Sequence, residues 1–440
     1  MTAQAHTIPQ RRGACPGLSA PMPTGDGLLT RFTPIGTVAL AAFNRFCMAA
    51  RIHGNGIVEV TARGSIQIRG LSAVSARQFA ADIAPLEIAA EDGTPILCNP
   101  LSGIDAEEIF DVTPLACELR RALVQRSATA QLNAKVSVAI DGGGKLNLAS
   151  VPADIRLTAQ SMNGEILLHV AVGGNAASAA DIGVVAPDDG IETAHRLLGL
   201  LAERGHHARA RDIIAAEGTA AFRTALTARP ALYRAHAPAG MHKKGHHRAP
   251  LYPDGQAIAL HRLRDGSLAC GVGLPFGHAD TGMLERLADA AAAAGAYGLR
   301  AAPGRTLLAL GLTKQSAGGF VAAAEQLSFI TRAEDPRRHV LACAGAPLCA
   351  FACIATRAIA PRIAAAAARH LVGDTTIHIS GCAKGCAHPA AAALTVVGTS
   401  GDCALVANGT ARDAPFAAMP VNELPAAIER YMGEREAGHV

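Results

Sequence analysis

TGDGLLTRFTPIGTVALAAFNRFCMAARIHGNGIVEVTARGSIQIRGL, residues 24–71, reads as two strands, a helix and two more strands. The run LLTRFTP is followed by a turn at Ile35-Gly36 and the strand-like TVAL. AAFNRFCMAARIHG then has the length of a helix, and GIVEVTARGSIQIRGL alternates as a strand pair. The same order recurs in residues 253–312. Pro253-Asp254-Gly255 precedes QAIALHRL, a turn at Arg264-Asp265-Gly266 and SLACGVGL; TGMLERLADAAAAAG carries Met283, Leu284, Leu287 and Ala291 at helical spacing, and YGLRAAPGRTLLALGL closes the unit. Both copies end in Gly-Leu, at Gly70-Leu71 and Gly311-Leu312. A β-β-α-β-β module is therefore duplicated, and internal repetition of this kind constrains the fold more than any single element does.

Each module is followed by a longer α/β segment. The expected division is 1–85 for the first module, 86–230 for its α/β segment, 231–250 for a linker or loop, 251–327 for the second module and 328–440 for the last segment. The first α/β segment contains the apolar strand KVSVAID, ending at Gly142-Gly143-Gly144. The linker RAHAPAGMHKKGHHRAP is rich in Pro, Gly, His and Lys, but His236, His242, His246 and His247 are too irregularly spaced to define a metal site.

A chain of 440 residues accommodates two or three ordinary domains, and half of its residues are apolar. Its net charge of +4 and the lack of a long Lys/Arg run argue against a nucleic-acid partner. Arg11-Arg12, Arg204 to Arg211 and Arg337-Arg338-His339 are local basic clusters that suit solvent or a small anion. The N-terminal stretch lacks the apolar core of a signal peptide and no run is long enough to span a bilayer, so the expected location is cytoplasmic, without a membrane partner. Eleven cysteines in such a compartment point to metal or redox use before disulfides.

Four of them form a pattern. LACAGAPLCAFAC (341–353) places Cys343 and Cys349 in C-x5-C, and HISGCAKGCAHP (378–389) places Cys382 and Cys386 in C-x3-C. Two thiolate pairs on separate loops suit a cubane [4Fe–4S] cluster. Ala344, Gly345, Gly381, Ala383, Gly385 and Ala387 let backbone approach the sulfurs and offer N–H donors that favour thiolate. Structural zinc usually takes C-x2-4-C knuckles, which this pattern does not match. Cys47, Cys98, Cys117, Cys270 and Cys403 read as small apolar residues, and Cys353 as a packing residue one helical turn beyond Cys349.

The two cysteine loops, with S-G-C-x-x-x-C in the second, resemble those of the sulfite and nitrite reductase superfamily. That resemblance covers nearly the whole chain and implies an α+β fold: duplicated ferredoxin-like half-domains plus two sulfite-reductase-like α/β domains carrying a [4Fe–4S] cluster. In that family the last cysteine, here Cys386, also bridges to sirohaem iron. Thr61-Ala62-Arg63-Gly64-Ser65-Ile66-Gln67 is similar to the family's T-x-R-x-x-x-Q strand, whose arginine holds a tetrapyrrole carboxylate. Lys135 resembles another such contact, and Arg69 is a candidate helper. A guanidinium fork suits a polyanionic macrocycle bearing acetate and propionate arms.

Two departures bear on the substrate. The family's R-N-x-x-x-C stretch is replaced by Gly93-Thr94-Pro95-Ile96-Leu97-Cys98, and a second lysine is missing after Lys135, where Val136-Ser137 follow. The stretch RRGACPGLSAPMPTGDGLLTR and the Gly-rich end of VSVAIDGGG instead resemble the precorrin-3B synthase branch of the superfamily. That branch implies oxygen-dependent hydroxylation of precorrin-3A with closure of a γ-lactone by an acetate arm. The implied partners are precorrin-3A, dioxygen and an external electron donor, since no G-x-G-x-x-G marks a nicotinamide domain.

Oxygen activation of this kind also raises a mononuclear non-haem iron, for which His53, His242, His247, His378 and His388 are candidates without a 2-His-1-carboxylate pattern. The alternatives are a sirohaem-dependent sulfite or nitrite reductase and a non-catalytic cluster-bearing electron carrier or sensor. The duplicated scaffold and the Arg63 strand exceed what an electron carrier needs.

Overall fold

The computed structural model describes residues 16–89, 93–125, 132–227, 257–373 and 375–436. The His-rich linker 231–250, Arg11-Arg12 and the 253–256 turn lie outside them. The described strands form four five-stranded sheets.

In the first module the strands Met22–Thr24, Gly27–Phe32, Ile66–Leu71 and Ile57–Val60 form an antiparallel sheet in that spatial order. The second module repeats it with Leu260–Arg262, Leu268–Gly273, Thr306–Leu312 and Gly298–Ala302. Each sheet acquires its fifth strand from the other module. His278–Asp280 pairs with Ile57–Val60, and Val38–Ala39 pairs with Gly298–Ala302. The TVAL segment is thus a strand of its neighbour's sheet rather than its own. Only two of its residues are extended before the helix begins, too few to hairpin locally, and the open edge that can receive it belongs to the other copy.

The helices Leu40–His53 and Thr281–Ala293 pack together across this exchange, with an ion pair between Arg51 and Glu285 at 2.7 Å. Phe43, Phe46 and Cys47 from one helix and Leu284, Leu287 and Ala291 from the other enter a single core shared by both modules. Met283 is only partly buried against it. The pair of modules is one hydrophobic unit, interlocked by its own strands.

The turns at Gly64 and Gly304 meet, with Gly304 N–H donating to Ala62 O at 3.0 Å. Gly64 has φ +81°, and a Cβ there would stand 3.0 Å from the Ala302 carbonyl carbon, so both conformation and space demand glycine.

The two α/β segments also share one topology. In the first, Ile96–Cys98, Val138–Asp141 and Ala153–Met162 are parallel, and Glu165–Gly174 and Ala180–Val185 continue antiparallel. In the second, Val340–Ala342, Ile377–Ser380 and Ala392–Gly398 are parallel, followed by Cys403–Gly409 and Ala417–Met419. Parallel strands are fully buried, and all residues of Val138–Asp141 and Ile377–Ser380 are. Loops leaving the ends of the parallel strands Val340–Ala342 and Ile377–Ser380 hold three of the four patterned cysteines. No helix among the described residues is long and apolar enough to cross a membrane.

Candidate functional site

Cys343 follows the strand Val340–Ala342, and Cys382 and Cys386 follow Ile377–Ser380, the strand beside it. Cys349 lies on the loop that returns toward the helix Thr356–Ala366. Backbone hydrogen bonds set this arrangement: Cys343 N–H donates to Ile379 O at 3.2 Å, Cys349 N–H to Gly345 O at 2.8 Å and Cys353 N–H to Gly381 O at 2.8 Å. Ala350 N–H donates to Gly25 O at 2.8 Å, which ties the Cys349 loop to the first hairpin of the opposite module.

The donor set fits an iron–sulfur cluster. Gly381 N–H donates to Cys343 Sγ at 3.2 Å, the bond that stabilises thiolate. The Cys386 thiol is pushed up first by its partial covering and then by Cys343 and Cys382, with Cys349 adding to them. The charges of Cys343, Cys382 and Cys349 all bear on the Cys386 thiol, and iron binding would relieve that repulsion. Among the described residues no three His, Cys, Asp or Glu side chains converge on a single metal ion, an arrangement that a cubane, with one thiolate per iron, does not require. Cys353 is exposed in a bend, not packed on a helix as expected, because the helix begins only at Thr356.

The sheet of the first module turns a polar face toward these loops. Its apolar residues Phe32, Val58, Val60, Ile66 and Ile68 point into the core, so strand alternation puts Arg31, Glu59, Gln67 and Arg69 on the other face. Arg31 is opposite Gln67, Gln67 opposite Glu59, and Glu59 opposite His278 of the exchanged strand. Arg31 Nε donates to Gln67 Oε1 at 2.7 Å, and Gln67 Nε2 to Glu59 Oε2 at 2.5 Å. Arg357 Nη2, from the helix beside Cys343, donates to Glu59 Oε1 at 2.6 Å. Burial and then the Arg357 charge hold His278 neutral, pushing its pKa down to about 3.

Of the expected substrate residues, Arg63 sits in the turn before Ile66–Leu71, with Nη1 3.5 Å from the Ser137 hydroxyl. Lys135 is exposed two residues before that serine, so fold and sequence bring both to one strand start. Ser137, standing where a second lysine is missing, is fully buried, and its N–H donates to Asp154, which Arg209 holds with two hydrogen bonds. Arg69 spends Nε and Nη2 on Asp26, both at 2.9 Å. The Asp26 carboxyl stays below its usual range although burial opposes this, because the Arg69 and Thr24 hydrogen bonds outweigh it.

The histidines scatter. His53 pairs with Asp82 at 2.7 Å, away from the loops; His242 and His247 lie outside the described residues. His378 and His388 meet edge to face with ring centroids 5.8 Å apart, and burial, then His388 and Arg305, push His378 down to about 3. Sequence reasoning missed Asp26, Glu59, His278 and Arg357. Glu59 was discoverable as a charge alternating with valines in IVEV; the other three join the site only through long-range packing.

Comparison with known proteins accords with this architecture. The family described as nitrite and sulphite reductase 4Fe-4S domain matches residues 91–231, the α/β segment that shares the topology of the cysteine-bearing one. This match supports an iron–sulfur cofactor. The solved structure of Mycobacterium tuberculosis NirA protein superposes with a TM-score of 0.73 at 21% identity, covering 92% of this chain and 80% of that one, a likeness of fold. A ferredoxin–nitrite reductase of Synechococcus elongatus is 24% identical over 365 residues, 78% of this chain and 70% of its own. A precorrin-3B synthase of Sinorhizobium sp is 37% identical over 433 residues, 98% of this chain and 90% of its own. With that identity sustained across both modules and both α/β segments, the chain belongs to the precorrin-3B synthase family.

Proposed function

We propose that this protein is a monooxygenase that hydroxylates precorrin-3A with dioxygen and closes a γ-lactone through an acetate arm. The near full-length likeness to a precorrin-3B synthase carries the reading. The cysteine loops that leave neighbouring parallel strands, joined by the Gly381 N–H bond to Cys343 Sγ, support a redox enzyme.

Cys343, Cys349, Cys382 and Cys386 hold a [4Fe–4S] cluster, which when bound supplies electrons. Incorporating one oxygen atom and releasing the other as water takes two electrons and two protons from outside the substrate, so an external donor is part of the reaction. Arg63 and Lys135 receive peripheral carboxylates at the start of the Val138–Asp141 strand. Arg69, committed to Asp26, orients the hairpin rather than the substrate. The polar sheet face offers Arg31, Gln67 and a neutral His278 to the macrocycle, and the interlocked modules keep that face rigid.

The test is anaerobic purification followed by a visible spectrum and turnover. The expected protein carries iron and sulfide, shows cluster absorption without an intense Soret band, and consumes dioxygen only with precorrin-3A and a reductant. Stoichiometric sirohaem with sulfite or nitrite turnover would instead place the chain among the reductases.

A further inference from the structure

Arg357 has no part in the reaction as described so far, yet its position is unusual for an arginine. It is the second residue of the helix Thr356–Ala366. The first, Thr356, donates its hydroxyl to Cys343 O at 2.6 Å, and its Oγ1 lies 3.9 Å from Cys343 Sγ. The helix therefore begins against a cluster cysteine. Its length of 11 residues gives the N-terminal turn a partial positive charge facing Cys343.

The guanidinium adds a full charge there. Its side chain is 14% exposed, and among the described residues only Nη2 has a hydrogen-bond partner, Glu59. Nε and Nη1 are buried and, among the described residues, donate to no acceptor. Leaving two such donors unspent costs stability, so a position that retains them implies an acceptor or a negative charge that satisfies them in the working protein. Burial works against the Arg357 charge; Glu59 is its first charge partner, with Arg69 opposing and Asp26 and Cys343 adding in turn, and Glu59 shares its carboxylate with Gln67 on the far side. Arg69 also bears on Cys386, but unlike Arg357 it is engaged by a carboxylate, Asp26, through two nitrogens.

We propose that Arg357 is a positioning residue that raises the reduction potential of the cluster by placing an incompletely compensated positive charge beside Cys343. The inference rests on the cluster reading above. Reduction adds one electron and one negative charge to the cluster, so a nearby cation stabilises the reduced form and Glu59 partly cancels that cation. The Arg357–Glu59 bond also connects cluster and sheet face, so this potential is sensitive to what sits on the Arg31–Gln67–Glu59 row.

The experiment is a redox titration, followed by visible absorption and electron paramagnetic resonance, of the cluster-loaded full chain and three variants. Arg357→Met is expected to move the midpoint to a more negative value, with iron and sulfide content retained. Glu59→Gln is expected to move it the opposite way, and Arg357→Lys to restore most of the parental value. Opposite shifts from two members of one ion pair do not arise from general loosening, which would displace both variants alike. An intact cluster with an unmoved midpoint in both Arg357→Met and Glu59→Gln would overturn the proposal alone. Parent protein that holds no iron and sulfide would overturn the cluster reading and the proposal with it. If Arg357→Met does not retain its cluster, the Glu59→Gln and Arg357→Lys midpoints decide the matter, and a negative shift in Glu59→Gln sinks the proposal.

Discussion

Asn99 occupies in the first α/β segment the place that Cys343 holds in the second. Each follows the edge parallel strand, and each accepts a hydrogen bond from the glycine just after the neighbouring strand: Gly142 N–H to Asn99 Oδ1 at 2.9 Å, Gly381 N–H to Cys343 Sγ at 3.2 Å. In the first segment the amide fills the space, donating to Asp141 Oδ1 at 3.0 Å and to Gly143 O. The two residues should respond differently to truncation. Asn99→Ala leaves buried Asp141 and Gly142 short of partners and is expected to cost about 1–3 kcal/mol in denaturant unfolding, with iron content unchanged. Cys343→Ala, like alanine at Cys349, Cys382 or Cys386, is expected to lose most iron and cluster absorption, while Cys353→Ala keeps both. Iron retained in Cys343→Ala but lost in Cys353→Ala would show the wrong ligand set.

Gly25 is the contact by which the first hairpin clamps the Cys349 loop. An added Cβ would overlap Cys349 Sγ and stand 3.0 Å from Ala350 N. Gly25→Ala is therefore expected to lower cluster occupancy after reconstitution while far-ultraviolet dichroism stays parental. Full occupancy would mean that the hairpin yields more readily than the loop.

For Arg63 the expected loss is that of a charge-assisted hydrogen bond. Arg63→Ala should weaken precorrin-3A binding by about 1.5–3 kcal/mol, roughly 10- to 150-fold in Kd, with the cluster spectrum intact. Arg69→Ala should behave otherwise, lowering stability by stranding the buried Asp26 carboxylate. Equal affinities for Arg63→Ala and parent, measured by titration, would remove Arg63 from the pocket.

His378 gives a pH dependence. Its folded pKa, down at about 3, lies below the unfolded value near 6.5, so the unfolded chain binds the extra proton between these limits. Its contribution is fully present above pH 6.5 and is lost as pH falls toward 3, at up to about 1.4 kcal/mol per unit. His388 and Arg305 oppose its protonation in the fold. Unfolding midpoints between pH 7 and pH 5 should decline less steeply in His378→Gln than in the parent. Parallel declines would assign the loss to other groups.

The duplication and the cysteine loops were legible because local chemistry writes them: turn glycines, alternating strands and paired thiols at short spacing. What pairs with the two-residue strand Val38–Ala39 was not, since its hydrogen-bond partners lie in the other module and nothing in TVAL distinguishes its own sheet edge from its neighbour's. The polar face was half visible. Arg31, Glu59, Gln67 and Arg69 alternate with core residues, but His278 and Arg357 reach it from distant segments, and Arg69 looked available until its partner Asp26 was in view.

The reciprocal strand exchange sets the order in which this chain matures. During synthesis Val38–Ala39 emerges long before Gly298–Ala302, and the first sheet must wait with an open edge at Ile57–Val60 until His278–Asp280 arrives. Domains that complete early are normally sealed as they leave the ribosome. Here neither module is an autonomous folding unit, contacts of high sequence separation close last, and assembly is slow by topology alone. A fragment ending before residue 257 would retain that unsealed edge and half a core, the features that template aggregation, and is expected to aggregate where the full chain does not.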